Sequence, residues 1–255
     1  MSVETDVDRG EKRGSFGETA RIVVHALILA VIVRFLFFQP FNIPSGSMKP
    51  TLLVGDYLFV SKYSYGYSKY SIPFSPDLFS GRILEGKPEA GDVAVFRLPT
   101  NTNIDYIKRV IGVPGDRVQM RDGVLYLNDQ RIEKEPLDDF VDDDRRDGFG
   151  NAPKLRRYRE TLPNGVSYTV LDTRRSSADN TIEFLVPEGH YFMMGDNRDN
   201  SADSRSQRDV GFVPLENFIG RAEVLFFSAD RDFRIYAPWT WPSSVRFSRF
   251  FNSVE

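Results

Sequence analysis

Two stretches far apart in the chain carry the residues best suited to chemistry. Pro44-Ser45-Gly46-Ser47-Met48-Lys49-Pro50-Thr51-Leu52 holds Ser47 on a segment fenced by prolines, which can form neither a regular helix nor a central strand. A nucleophile needs that exposure and stiffness. Tyr106-Ile107-Lys108-Arg109-Val110-Ile111-Gly112-Val113-Pro114-Gly115-Asp116 offers a base. Strand alternation puts Lys108 on one face with Tyr106 and Val110, and Arg109 on the other with Ile107 and Ile111. One of the two basic residues should therefore face the core, and alternation does not choose between them. Only the lysine can become a base, because a guanidinium does not deprotonate in proteins. A free lysine, with a pKa of about 10.4, is neutral in roughly one molecule in 2,500 at pH 7. Burial must lower that pKa by about two to three units, a differential cost of about 3 to 4 kcal/mol. Taken singly, each residue also has a plain structural reading: a loop serine, and a lysine snorkelling from a strand edge.

Composition removes several competing chemistries. The 255 residues include no cysteine and two histidines, His25 and His190, so thiol catalysis and cysteine-based metal sites are excluded. A serine–histidine–aspartate triad is disfavoured, since His25 lies inside an apolar run and His190 precedes a strand-like segment. A net charge of -3 with dispersed basic residues gives no general attraction to nucleic acid.

A third stretch, Gly195-Asp196-Asn197-Arg198-Asp199-Asn200-Ser201-Ala202-Asp203-Ser204-Arg205, directly follows the apolar run His190 to Met194. So many hydrogen-bonding side chains in one loop predict a structured polar network. The rival reading is a hard cation held by Asp196, Asp199 and Asp203.

The elements that position these stretches begin with a membrane segment. Ile22 to Phe38 is apolar except for His25 and Arg34, and Pro40 closes the run. As a helix it is roughly 25 Å long, enough for a hydrocarbon core of about 30 Å when flanking residues snorkel. Arg9, Lys12, Arg13 and Arg21 precede the span, whereas only Lys49 stands in the twenty residues after it, so the N-terminus should be cytoplasmic and the bulk exported. A cleavable signal peptide is the competing reading, opposed by the length of the run and the charge within it. Ser47 then lies no further than about 30 Å along the chain from the span, near the bilayer surface.

Beyond the span, short apolar runs separated by Gly, Pro, Asp and Asn read as β-strands. They are expected at 57–63, 92–97, 106–112, 123–128, 167–171, 181–186, 190–194 and 222–227. Residues 134–180, rich in Asp and Arg, read as an inserted, solvated excursion. Its acidic run Asp142-Asp143-Asp144-Arg145-Arg146-Asp147 lacks the spacing, glycine and glutamate of an EF-hand loop. The C-terminal Trp239-Thr240-Trp241-Pro242, with Val245, Phe247, Phe250 and Phe251, reads equally as a membrane-resting tail or as a segment packed on the core.

Together, Ser-Gly-Ser-Met-x-Pro-Thr-Leu, Tyr-Ile-Lys-Arg-Val-x-Gly-x-Pro-Gly-Asp and Gly-Asp-Asn-x-x-x-Ser-x-Asp-Ser-Arg, in this order behind one N-terminal span, closely resemble bacterial type I signal peptidase, the leader peptidase family of Ser-Lys serine endopeptidases. The resemblance implies a mainly β fold: an antiparallel β-rich catalytic domain (39–127 and 182–255) with a smaller inserted β domain (128–181), after a tail (1–21) and a span (22–38). It implies Ser47 as nucleophile and Lys108 as general base. Ser45, with the Ser47 amide, would form the oxyanion hole. Ser201 would orient the lysine, Asp196, Asp203 and Arg205 would support the site structurally, and Met48 would line the substrate cleft. The substrates implied are exported preproteins, cut after small residues at the first and third positions before the bond. No metal or organic cofactor is implied, and a monomer is expected. One departure is the single span where the best-known member has two. Organelle processing peptidases share these blocks, and a non-catalytic scaffold that holds signal sequences is the alternative from another class.

Overall fold

The computed structural model describes residues 16–254 except 73–74, 76–78 and 146–150. Arg9, Lys12 and Arg13 of the tail, and Arg146 and Asp147 of the acidic run, lie outside the described residues. Helix α1 (Phe16–Leu36) is followed mainly by strands, with short 3-10 turns between them and a four-residue helix, α2 (Trp241–Ser244), near the C-terminus. The strands of the first half are β1 (Phe38–Asn42), β2 (Asp56–Ser61), β3 (Val93–Leu98), β4 (Asn101–Gly112), β5 (Arg117–Arg121), β6 (Val124–Leu127) and β7 (Gln130–Arg131). The rest are β8 (Glu133–Val141), β9 (Lys154–Thr161), β10 (Ser167–Leu171), β11 (Phe184–Leu185), β12 (His190–Met194), β13 (Val213–Pro214) and β14 (Phe218–Ser228).

Helix α1 is long and apolar enough to cross a membrane, and its side chains from Gly17 onward are exposed. It starts six residues before the expected span and stops two residues short of its end. Glu18 and Arg21 are good helix formers and extend the apolar helix upstream. At the other end Phe38 leaves the helix and pairs with Ser61 as the first residue of β1. Pro40, which lacks an amide donor, is tolerated there because β1 is an edge strand.

The strands form three sheets, and every strand pair within them is antiparallel. A seven-stranded sheet runs β1-β2-β14-β3-β4-β12-β13, a four-stranded sheet runs β11-β5-β6-β7, and a three-stranded sheet runs β10-β9-β8. The mainly β class is therefore as expected. The large sheet is covered on both faces: Val93 and Val95 pack with Ile43, Met48, Leu52 and Leu58, while Ala94 and Phe96 pack with Val110, Tyr191 and Phe218. Continuous apolar runs are what such a two-sided strand requires. A further core joins Val118 and Leu125 of the small sheet to Tyr168 and Val170 of β10 and to Phe192 and Met194 of β12.

The strand expected at 167–171 forms as β10, but the solvated reading of 134–180 and of the acidic run is corrected. Tyr158, Leu162, Tyr168 and Val170 pack against the rest of the molecule. Asp142 is buried rather than solvated, because Lys49 reaches it at 2.5 Å and reaches Asp144 at 2.7 Å. The C-terminal segment meets the packed reading through its arginines and leaves aromatic rings exposed. Arg249 and Arg246 pin it to Asp56, whereas Trp239, Phe247 and Phe251 face outward.

Candidate active site

Four segments converge on Ser47. It sits in a tight turn at 47–50, in which the Lys49 amide donates to the Gly46 carbonyl at 3.3 Å and the Leu52 amide to the Met48 carbonyl at 2.9 Å. The polar loop after β12 holds this turn from outside: the Asn197 amide donates to the Ser47 carbonyl at 3.0 Å, and Asn197 Nδ2 to the Gly46 carbonyl at 2.9 Å. Sequence reasoning assigned Asn197 no role. The only signal was its place in a polar loop too dense to be mere solubility.

Strand β4 delivers the base. Lys108 Nζ lies 2.7 Å from Ser47 Oγ and 3.0 Å from its neighbour's carbonyl, Ile107 O. Its amine stands 5.1 Å from the centre of the Tyr106 ring, as the shared face predicts. Burial pushes the Lys108 amine down to about 8, against the opposing pull of the Asp203 and Asp196 carboxylates. The expectation that only one of the two basic residues faces the interior is corrected: Lys108 is 4 % exposed and Arg109 0 %. Both faces of β4 are covered, so alternation selects two environments rather than inside and outside. Arg109 makes a two-pronged pair with Asp196 at 2.9 and 2.8 Å and stacks 4.3 Å from the Tyr168 ring centre. Asp196 also accepts from Thr51 Oγ1 at 2.5 Å, which ties the polar loop to the segment carrying Ser47.

Ser45 Oγ is 3.4 Å from Ser47 Oγ, and no acceptor takes the Ser47 amide among the described residues. A free amide and a hydroxyl beside the nucleophile are the donors that an oxyanion requires. Gly195 is forced by close approach: a Cβ there would fall 2.2 Å from Ser201 Oγ and 2.6 Å from the Ser47 carbonyl. Asp203 pairs with Arg205 through two contacts of 2.9 Å and accepts from the Gly195 amide at 3.0 Å. Burial alone would raise the Asp203 carboxyl, but Arg205 and these hydrogen bonds outweigh it and hold the group below its ordinary value.

Two site expectations need correction. The Ser201 hydroxyl is buried beside Asp203 and makes no hydrogen bond to Lys108, so the contact implied by resemblance is not made. In this structure the Ile107 carbonyl supplies the second contact to the lysine. Met48 does not line the cleft. It is 0 % exposed and packs beneath the turn with Ile43, Leu52 and Leu58.

Ser47 and Lys108 line a cleft of about 480 Å³ whose apolar lining includes Phe41, Ile43, Val95, Ile104 and Tyr106. Besides Ser45, Ser47 and Lys108, its polar lining is Asn42, Asp105 and Asn200. Asp172, Asp179 and Asp199 bring three carboxylates together, a different set from the Asp196, Asp199 and Asp203 considered from sequence. Asp199 is already engaged by the Thr173 and Arg174 amides, and Asp172 by Lys134.

A signal peptidase I from Rickettsia typhi (strain ATCC VR-144 / Wilmington) is 42 % identical to this chain, over 89 % of it and 90 % of the relative. A signal peptidase I from Rickettsia prowazekii (strain Madrid E) is also 42 % identical, over 94 % and 92 %. A solved signal peptidase I from Enterococcus faecalis V583 is 30 % identical, covering 53 % of this chain and 96 % of its own, with a TM-score of 0.30. The family model described as signal peptidase, peptidase S26, matches residues 16–227, a range that holds α1, Ser47, Lys108 and the whole polar loop. With most of its length matched, the chain belongs to the signal peptidase family, peptidase S26, and is a serine peptidase.

Proposed function

We propose that this chain is a membrane-anchored endopeptidase that removes N-terminal signal peptides from exported preproteins, with Ser47 as nucleophile and Lys108 as general base. The observation that carries the reading is the 2.7 Å approach of Lys108 Nζ to Ser47 Oγ in a buried site. In its neutral form the amine takes the Ser47 proton as Oγ attacks the scissile carbonyl carbon. The Ser47 amide and the Ser45 hydroxyl stabilise the resulting oxyanion. The Lys108 ammonium then gives its proton to the leaving amine, which departs and leaves an ester on Ser47. Lys108 next deprotonates a water that attacks the ester, and collapse of the second tetrahedral species frees the signal peptide as a carboxylate and returns the proton to Ser47.

The cleft supports an extended substrate segment with small side chains at the first and third positions before the bond. Alternate residues of an extended chain point the same way, so these two side chains would face the same wall. Asp196, Asp203 and Arg205 would hold the framework without touching substrate. We assign catalysis to 39–127 and 182–255, with 128–181 as the insert. The protein would act as a monomer in the cytoplasmic membrane, with α1 crossing once, the N-terminus inside and the cleft outside.

The test is preprotein cleavage by the full chain in detergent. Ser47→Ala and Lys108→Ala should each abolish it while circular dichroism keeps its β signature. Cleavage retained by either purified variant overturns the assignment.

A further inference from the structure

Lys49 lies two residues after Ser47, yet its ammonium is buried and turned away from the cleft. Its Nζ reaches Asp142 at 2.5 Å and Asp144 at 2.7 Å, both just beyond the end of β8. Asp142 is fixed in turn by its amide, which donates to the Pro153 carbonyl at 3.0 Å, and Asp144 accepts from Arg246 at 3.0 Å. Arg246 also donates to the Val54 carbonyl at 2.9 Å, beyond the far end of the same turn. The chain is thereby gripped at Lys49 and at Val54, on either side of Leu52.

The lysine stem matters as much as its charge. A Cβ placed on Gly46 would meet Lys49 Cδ and Cε at 3.4 Å, so the stem runs directly behind the Gly46–Ser47 peptide. That peptide carries the Ser47 amide, the group with no acceptor among the described residues. Asn197 holds this peptide's own carbonyl, Gly46 O, and the next one, Ser47 O.

We propose that Lys49, clamped by Asp142 and Asp144 of the inserted hairpin, is a positioning residue that fixes the Gly46–Ser47 peptide and so aims both the nucleophile and its amide. The inference rests on the Ser47 assignment made above. It gives the inserted hairpin a direct part in the reaction. Lys49 touches neither the Ser47 hydroxyl nor Lys108, so its loss should leave substrate binding and the titration of the base alone.

The experiment measures kcat, KM and the pH profile of preprotein cleavage by the full chain in detergent. Lys49→Met keeps the stem and removes the clamp. It should lower kcat by about 10- to 100-fold, with KM within about threefold of wild type. The acid limb should stay where Lys108 puts it. Lys49→Met leaves Asp142 buried without its cation, which destabilises the fold, so the double variant Lys49→Met/Asp142→Asn carries the decisive reading. Asp144 keeps Arg246 in that variant. The double variant should recover the wild-type melting temperature while kcat stays low. Recovery of kcat together with stability would show a purely structural clamp and overturn the proposal, as would an unchanged kcat in Lys49→Met. Ser47→Ala serves as the control: if it still cleaves, the nucleophile assignment has failed, whereas an inactive Ser47→Ala beside a fully active Lys49→Met defeats the clamp alone.

Discussion

Lys108 in the cleft and Lys62 at the foot of helix α1 are both buried, and the amine of each is pushed down to about 8, chiefly by loss of water. Their partners differ. Lys108 faces a hydroxyl at 2.7 Å, and two buried carboxylates lie near enough to act on its charge. Among the described residues the Lys62 amine faces only carbonyl oxygens, Arg34 O at 3.1 Å and Phe35 O at 3.4 Å, with the Arg34 charge adding to the loss of water. A carbonyl has no proton to give. A depressed amine is thus a necessary property of a lysine base and an insufficient one; the neighbouring group decides whether it can do acid–base work. Lys49 completes the series, a buried lysine that faces two carboxylates and no hydroxyl.

The sharpest way to break this comparison is to delete both depressed amines in parallel. Lys108→Met should lower kcat for preprotein cleavage by about 10²- to 10⁴-fold, the usual worth of a positioned acid–base group. Lys62→Met should leave kcat within a few-fold of wild type. Comparable losses in the two would mean that desolvation alone, and not the facing hydroxyl, marks the functional lysine.

Ser47 and Lys108 were legible in sequence because type and setting agree: a serine on a proline-fenced turn, and the one basic residue of its pair that can lose a proton. The three motif blocks fixed which serine and which lysine belong together. What escaped was everything that depends on pairing across long sequence distances. Lys49 counted only as the one basic residue after the span and Asp142 as part of a solvated run; only the fold brings positions 93 residues apart to 2.5 Å. Arg109 was left undecided because alternation describes one strand and knows nothing of what covers each face. The missed edge strand β1 contains Pro40, a residue that argues against a strand until the chain is known to run along an edge. The outer contacts of the polar loop, such as Asn197 on the Ser47 carbonyl, were foreseen as a network but not by partner.

The pH dependence sharpens the comparison further, and its sign is fixed by the direction of the Lys108 shift. The folded protein leaves this amine neutral above about 8, whereas the unfolded chain protonates it below 10.5. Cleavage should therefore fall as pH drops through about 8, where Lys108 gains its proton, and kcat/KM should trace that acid limb. Stability moves in the same direction: the contribution of Lys108 is fully present above 10.5 and is lost as pH falls towards 8, about 3 kcal/mol in all. Lys108→Met removes the group that disfavours folding, so at pH 7 the inactive variant should melt higher than wild type. A variant that melts lower at pH 7 would mean that the amine is held by its carboxylate neighbours more than it is penalised by burial. Lys62→Met should leave the acid limb of kcat/KM in place, because Lys62 touches nothing that reacts.

The smallest expected effect concerns what Lys62 does instead. The last carbonyls of α1 lack partners within the helix, and three of them are met from the body: Arg34 O and Phe35 O by Lys62 Nζ, and Leu36 O by the Tyr67 hydroxyl at 2.5 Å; the next carbonyl, Phe37 O, accepts from the Lys62 amide at 2.9 Å. A cation at a helix C-terminus is favourable, typically by about 0.3–1 kcal/mol, and it opposes the desolvation that lowers the amine. Desolvation outweighs it, since the amine stays down at about 8, so at pH 7 Lys62→Met should leave the full chain in detergent no less stable than wild type. Tyr67→Phe, which removes one neutral hydrogen bond to the same helix end, should cost about 1 kcal/mol. A loss of several kcal/mol, or a tenfold fall in kcat, in either variant would show that the joint between span and body governs the cleft, and the two buried lysines would then belong to one working unit rather than to two.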